Sequence, residues 1–170
     1  MPFPRARIRL THPNYLGSRR YFITFCCFER SKIFLDGECC SIFLSILTKQ
    51  SGAQAFAVPA YCLMPDHVHL LMHGLETSSD LQKFMKSLKQ TSGYYLEKKT
   101  KSPVWQRFFH DHILRPRESS DGVSWYIWMN PVRGGICTDF RDYRYSGSLT
   151  GLWPPDRPPS ALWSPCSGHL

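Results

Sequence analysis

No apolar run in this chain approaches the roughly eighteen residues that a helical membrane span requires. No CxxC pair occurs anywhere, although there are seven cysteines. Their odd number, and the adjacent pairs Cys26-Cys27 and Cys39-Cys40, support neither a disulfide framework nor a structural zinc knuckle. Reduced, mostly buried thiols are the expectation. Acidic residues are absent from the first twenty positions, and no internal repeat is visible. The opening "MPFPRARIRL" lacks the apolar centre of a signal peptide, which points to the cytosol.

What is present suits one globular domain. The chain has 170 residues, 42% hydrophobic and 14% aromatic, enough to bury a core without covalent staples. Its net charge of +8 is unevenly spread. Arg5, Arg7, Arg9, Arg19 and Arg20 crowd the start, and Lys83, Lys86, Lys89, Lys98, Lys99 and Lys101 form a second basic set. Such a surface favours polyanions, nucleic acid first and an acidic membrane surface second.

Periodicity divides the chain into a basic arm over 1–18, a folded unit over 19–150 and a Pro- and Ser-rich tail over 151–170 that is expected to be flexible. "RRYFITFCCFE" (19–29) has the β-branched and aromatic character of a strand. "GECCSIFLSILTKQSG" (37–52) has helical spacing and a stop signal in Gly52. Two strands, 55–65 and 67–74, flank a tight Pro65-Asp66 turn. In 78–99, Leu81, Phe84, Met85 and Leu88 recur at three and four, which predicts an amphipathic helix. A further strand is expected over 103–116 and a helix over 119–135, closed at Asn130-Pro131. The order β-α-β-β-α-β-α is α+β, a ferredoxin-like split βαβ with an antiparallel sheet and helices on one face.

The chemistry concentrates in "YCLMPDHVHLLMHG" (61–74). Residues two apart in a strand share a face, so His67 and His69 project together and could ligate one divalent ion. Alternatively they are core or edge histidines hydrogen-bonded to backbone. In the last helix, Trp125, Trp128 and Met129 form the expected core stripe, while Tyr126 and Asn130, four apart, share another face. That pairing would bring a phenol and a carboxamide oxygen to a metal. Alternatively Tyr126 is a half-buried aromatic and Asn130 only ends the helix. A second HxH, His110-Asp111-His112, is read as structural.

"YCLMPDHVHLLMHG", "VWQRFFHDHILR", "YIWMNPVRGGI" and "DYRYSGS", in that order from about Arg19 to Ser148, resemble the single-tyrosine HUH transposases, the IS200-like group. The nearest branch is the REP-associated tyrosine transposases. The resemblance implies that His67 and His69, with Asn130, bind Mg2+ or Mn2+, and that Tyr126 is the nucleophile at the end of a ferredoxin-like fold. It also implies a single-stranded DNA substrate carrying a hairpin, cut to a free 3′-OH and a 5′-phosphotyrosine, by a monomer or homodimer. Asp66 departs from the Asn or Glu usual there, Trp128 from His or Tyr, and Cys26-Cys27 stands where a basic residue is common. A tyrosine with a pKa of about 10 is only about 0.1% ionised at pH 7, so it needs an electrophile to act on phosphate. Candidate phosphate contacts are Arg19, Arg20, Lys83, Lys86, Lys89, Arg107 and Arg115; Tyr94 and Tyr95 could stack on bases. Two other classes stay open: a binder of structured single strands that no longer cuts, and a metal-dependent phosphoesterase unrelated to DNA.

Overall fold

The computed structural model describes residues 12–153 and 155–165. Arg5, Arg7 and Arg9 of the basic arm lie outside the described residues, as does Cys166. Five strands make one antiparallel sheet: β1 (Arg20–Cys26), β2 (Phe56–Met64), β3 (His67–Gly74), β4 (His110–Ile113) and β5 (Ser146–Gly147), in the order β4-β1-β3-β2-β5. Among the described residues four α-helices accompany it: α1 (Gly37–Ala53), α2 (Leu81–Thr100), α3 (Ser120–Trp128) and the single turn α4 (Asn130–Arg133). The first four strands with α1 and α2 form the expected ferredoxin-like split βαβ. The short β5 was not expected; it adds to the outer edge of β2.

Strand alternation separates two cores. Tyr21, Ile23 and Phe25 of β1 and Val68, Leu70 and Met72 of β3 face α1 and α2, where Phe43, Leu47, Phe84, Met85 and Leu88 cover them. Each such fully buried chain contributes about 1.5–3 kcal/mol of transfer free energy. The other parity, including Phe22, Cys62 and Leu71, faces α3 through Val123, Tyr126 and Ile127. Both histidines belong to this second face. Pro59 lies where the β2–β3 register shifts, between Ala57↔His73 and Ala60↔Leu71. Proline has no N–H to give the ladder, and a bulge is where a strand tolerates it.

Side chains cap three of the helices. Asp36, Asp80 and Ser119 accept from the backbone N–H of Glu38, Lys83 and Gly122 to open α1, α2 and α3. Three expectations are corrected. Gly52 lies inside α1, which ends at Ala53, with Ala55 taking the left-handed turn at φ 53°. Of the strand expected over 103–116, only His110–Ile113 pairs in a ladder; Trp105 makes a lone bridge to Cys27 and gives its indole N–H to Ser92. The helix expected over 119–135 breaks at Met129 into α3 and α4, because Pro131 cannot continue the hydrogen-bond ladder.

The tail from 151, expected to be flexible, places two tryptophans on the α3 side. Trp153 packs on Trp128 and Phe140. Trp163 packs on Phe22, Tyr126 and His112 and donates to Glu118. Gly122 is required beneath it, since a Cβ there would stand 2.7 Å from the Ala161 carbonyl oxygen. Among the described residues all six cysteines are unpaired and four are buried. None of the described helices is long and apolar enough to cross a membrane.

Candidate metal and nucleophile site

The two-residue Pro65-Asp66 turn fixes the register Met64↔His67 and Cys62↔His69 on one side, and Cys26↔His67 and Thr24↔His69 on the other. His67 and His69 therefore sit at the middle of the sheet, on the α3 face. Each ring is held by its Nδ1. That of His67 donates to the Asp66 carboxylate at 2.6 Å, and Asp66 is braced in turn by Arg30 at 3.0 Å. The Nδ1 of His69 lies 2.8 Å from the Thr24 hydroxyl. Both Nε2 atoms are left pointing at one another, 3.1 Å apart.

Two imidazole nitrogens this close need a proton or a cation between them. Neighbouring ligands on an octahedral Mg2+ with bonds of about 2.1 Å stand about 3.0 Å apart, so the pair fits a divalent ion. The partners on Nδ1 are the usual second layer of a metal-bound histidine, setting tautomer and ring orientation. Asp66→Ala is therefore expected to raise the Mn2+ concentration needed for half-maximal activity about 10- to 100-fold, read by metal titration.

Burial sets the charge state. It lowers the His67 pKa, against the pull of Asp66, and lowers that of fully buried His69 well below the ordinary value, helped by the neighbouring His67, Arg133 and His110. Both rings are thus neutral at pH 7, the form a metal binds. With folded-state pKa values below the unfolded one, the unfolded chain takes up protons first as pH falls. Stability from this pair is whole above about pH 6.5 and declines below it. Denaturant midpoints of metal-free protein are expected to fall from pH 7.5 to pH 5.

The nucleophile candidate lies on the same face of the sheet as this pair, linked to it through Phe22. Phe22 stacks on His69, with ring centroids 5.7 Å apart, and meets the Tyr126 ring edge-on at 5.8 Å. Tyr126 is 8% exposed, bounded by Phe22, Trp163 and the guanidinium of Arg133. This corrects the expected core stripe. Val123, Tyr126, Ile127 and Trp128 are buried, while Trp125 and Met129 are only partly so, because α3 is packed between the sheet and the tail. Asn130 is brought to the end of α3, where its Nδ2 donates to the Tyr126 and Ile127 carbonyls at 3.1 Å. Both amide hydrogens are thus directed at carbonyls of its own helix end. Among the described residues no group of three or more His, Cys, Asp or Glu is placed to hold an ion.

The basic candidates divide by location. Arg20 reaches α3, donating to Ser120 at 3.0 Å. Arg19, Lys83, Lys86, Arg107 and Arg115 are exposed. Lys86, Lys89 and Arg107 line one groove with Tyr15 and Phe109, although Lys89 also donates to the Arg107 carbonyl. Tyr94 and Tyr95 are half exposed on the outer side of α2. In the second HxH, His112 is bonded to Glu118 at 2.9 Å and His110 meets Phe22 edge-on at 6.3 Å. Sequence reasoning missed Thr24, Phe22, Arg133 and Trp163, all of which touch His69 or Tyr126.

A family profile described as "Transposase IS200 like" matches residues 17–127. A Haemophilus influenzae protein assigned as a REP-associated tyrosine transposase is 28% identical over 137 residues, which is 74% of this chain and 77% of that protein. Among solved structures, a REP-associated tyrosine transposase bound to a REP hairpin superposes with a TM-score of 0.75 at 20% identity, covering 98% of both chains. A Deinococcus radiodurans protein assigned as a transposase gives 0.51 at 16% identity, covering 79% of this chain and 92% of that one.

Proposed function

The chain belongs to the IS200-like transposase family, and from that footing we propose that it is a metal-dependent single-strand DNA endonuclease and strand transferase, cutting beside hairpins through Tyr126. The observation that carries this reading is the shared packing on Phe22. Phe22 touches both the Tyr126 ring and the His69 ring, on the sheet face where the two Nε2 atoms converge. The hairpin as partner draws on the similar protein whose structure is bound to a REP hairpin. The cytosol is the compartment this reading assigns.

His67 and His69, with the Asn130 Oδ1, would hold Mg2+ or Mn2+. When bound, that ion supplies Lewis acidity toward a phosphate oxygen. The chain's residues do the rest. Asp66 and Thr24 fix the two rings, so no reorganisation is needed when the substrate arrives. Phe22 and Trp163 confine the Tyr126 ring, which is only 8% exposed. The Tyr126 hydroxyl attacks phosphorus and the upstream strand leaves with a 3′-OH. The phosphotyrosine ester retains the energy of the broken bond, so rejoining needs no nucleotide cofactor. Two neutral imidazoles and an amide add no negative charge to the ion.

Incubating the protein with hairpin-bearing single strands and Mn2+ should give a slow-migrating covalent adduct on a denaturing gel, abolished by EDTA. A strand shifted on a native gel but never joined would instead support a binder that no longer cuts. The low exposure of Tyr126 beneath Trp163 is the observation that favours this second reading.

A further inference from the structure

We propose that Arg133 is the phosphate-binding residue of this site, its guanidinium receiving the non-bridging oxygens of the scissile phosphodiester and staying with the phosphotyrosine formed from it. The inference rests on the strand-cutting reading above and adds a group to it.

The chain holds Arg133 in place for this. It closes the one-turn α4, whose carbonyls at Met129, Asn130, Pro131 and Val132 accept from Arg133, Gly134, Ile136 and Gly135. Gly135, at φ 69°, lets the chain turn away immediately afterwards. A side chain at 134 would crowd Met64, whose Cε lies 3.1 Å from the Cβ position, and Met64 is the cross-strand partner of His67. Seven residues beyond Tyr126, Arg133 folds back on it. Its Nη2 donates to the Tyr126 carbonyl at 2.6 Å, and its guanidinium carbon stands 4.0 Å from the ring centroid. That is a fixed cation beside the nucleophile.

The cation has no counter-anion of its own. Arg30 pairs with Asp66 and Arg141 with Asp139, but among the described residues no carboxylate pairs with Arg133. The residue as a whole is open to solvent, so a strand can reach it. Its head is nevertheless partly desolvated: burial lowers its pKa, opposed by the neighbouring Tyr126 oxygen, and its charge is felt at His69. A partly desolvated guanidinium without a carboxylate is stabilised by an incoming anion. Its planar fork of donors suits phosphate, where a lysine offers only a point charge.

In the forward step a bond forms between the Tyr126 oxygen and phosphorus, and the phenol proton passes to water. The bond from phosphorus to the 3′ oxygen breaks, and its electron pair stays on that oxygen, which takes a proton. The diester carries one negative charge before and after, while the transition state gathers charge on the phosphoryl oxygens. Arg133 faces those oxygens from the Tyr126 side and adds to the charge stabilisation assigned to the histidine pair. Reversal, with a 3′-OH attacking and the phenol leaving, uses the same contact.

The test replaces one phosphate at a time in a hairpin-bearing strand by a neutral methylphosphonate and measures binding without divalent metal, so that nothing is cut. At one position next to the hairpin the native chain should bind about tenfold more weakly, whereas Arg133→Gln should be nearly indifferent and Arg133→Lys intermediate. Thermal unfolding checks that the variants fold. With Mn2+, Arg133→Gln should slow single-turnover adduct formation about 100- to 1,000-fold, and the sensitive phosphate should be the one that is cut. Equal losses for native and Arg133→Gln at every position would overturn the proposal and leave Arg133 as a brace for Tyr126. If the native chain never forms an adduct yet the coupling appears, the cutting reading falls and the phosphate site stands. Adduct formation without coupling means the reverse.

Discussion

Tyr126→Phe is expected to give no covalent adduct with any hairpin-bearing strand, against ready adduct formation by the native chain, while hairpin affinity stays within about twofold. The substitution removes one oxygen and leaves everything that places the ring. The edge contacts with Phe22 and Trp163 and the stacked Arg133 guanidinium depend on the aromatic face and rim, which phenylalanine retains. The cost to stability should lie within about 1 kcal/mol, so a lost adduct cannot be blamed on a lost fold. Gel shift and denaturing gel on the same samples separate binding from joining. A normal adduct from Tyr126→Phe would move the nucleophile elsewhere and end the assignment.

The expectation is this sharp because so much of the site is local in sequence. His67 and His69 are placed by one alternation rule and one two-residue turn, and both are short-range. The α2 stripe of Leu81, Phe84, Met85 and Leu88 is buried as its spacing demands. What escaped depends on distant partners. Thr24 lies forty-five positions from His69, and their contact follows from the β1–β3 register, which no local pattern encodes. The core face of α3 was misjudged for a similar reason. Periodicity assumes one buried side, whereas α3 has the sheet below it and Trp163 and Trp153 around it. Composition led to the expectation of a flexible tail, and it carries no signal for where Trp153 and Trp163 pack. Arg133 lies seven residues beyond Tyr126, a helical repeat that puts both on one face of the expected 119–135 helix, but the expected closure at Asn130-Pro131 masks the residues beyond it.

The second large effect concerns the histidines, and their different burial dictates how it should be measured. His69 is fully buried, stacked on Phe22 and bonded to Thr24. Its removal leaves a cavity and an unpartnered hydroxyl, which together cost about 2–4 kcal/mol. His67 is at the rim, with a side chain 15% exposed, and its main partner Asp66 keeps Arg30 when the ring is gone. His67→Ala is thus the cleaner variant. It should fold near normally, bind hairpin normally and lose about a thousandfold or more of Mn2+-dependent cutting, an electrophile's share of the barrier. His67→Ala with His69→Ala should leave no metal-dependent cutting at all, once folding is verified by thermal unfolding. Raising Mn2+ discriminates affinity from chemistry. If His67→Ala recovers full rate at high metal, His69 and the Asn130 amide suffice to place the ion and the second ring serves only to tighten it. If both variants cut like the native chain at every metal concentration, the convergent Nε2 atoms are a hydrogen-bonded core pair, and the ion that activates the phosphate is held by other groups.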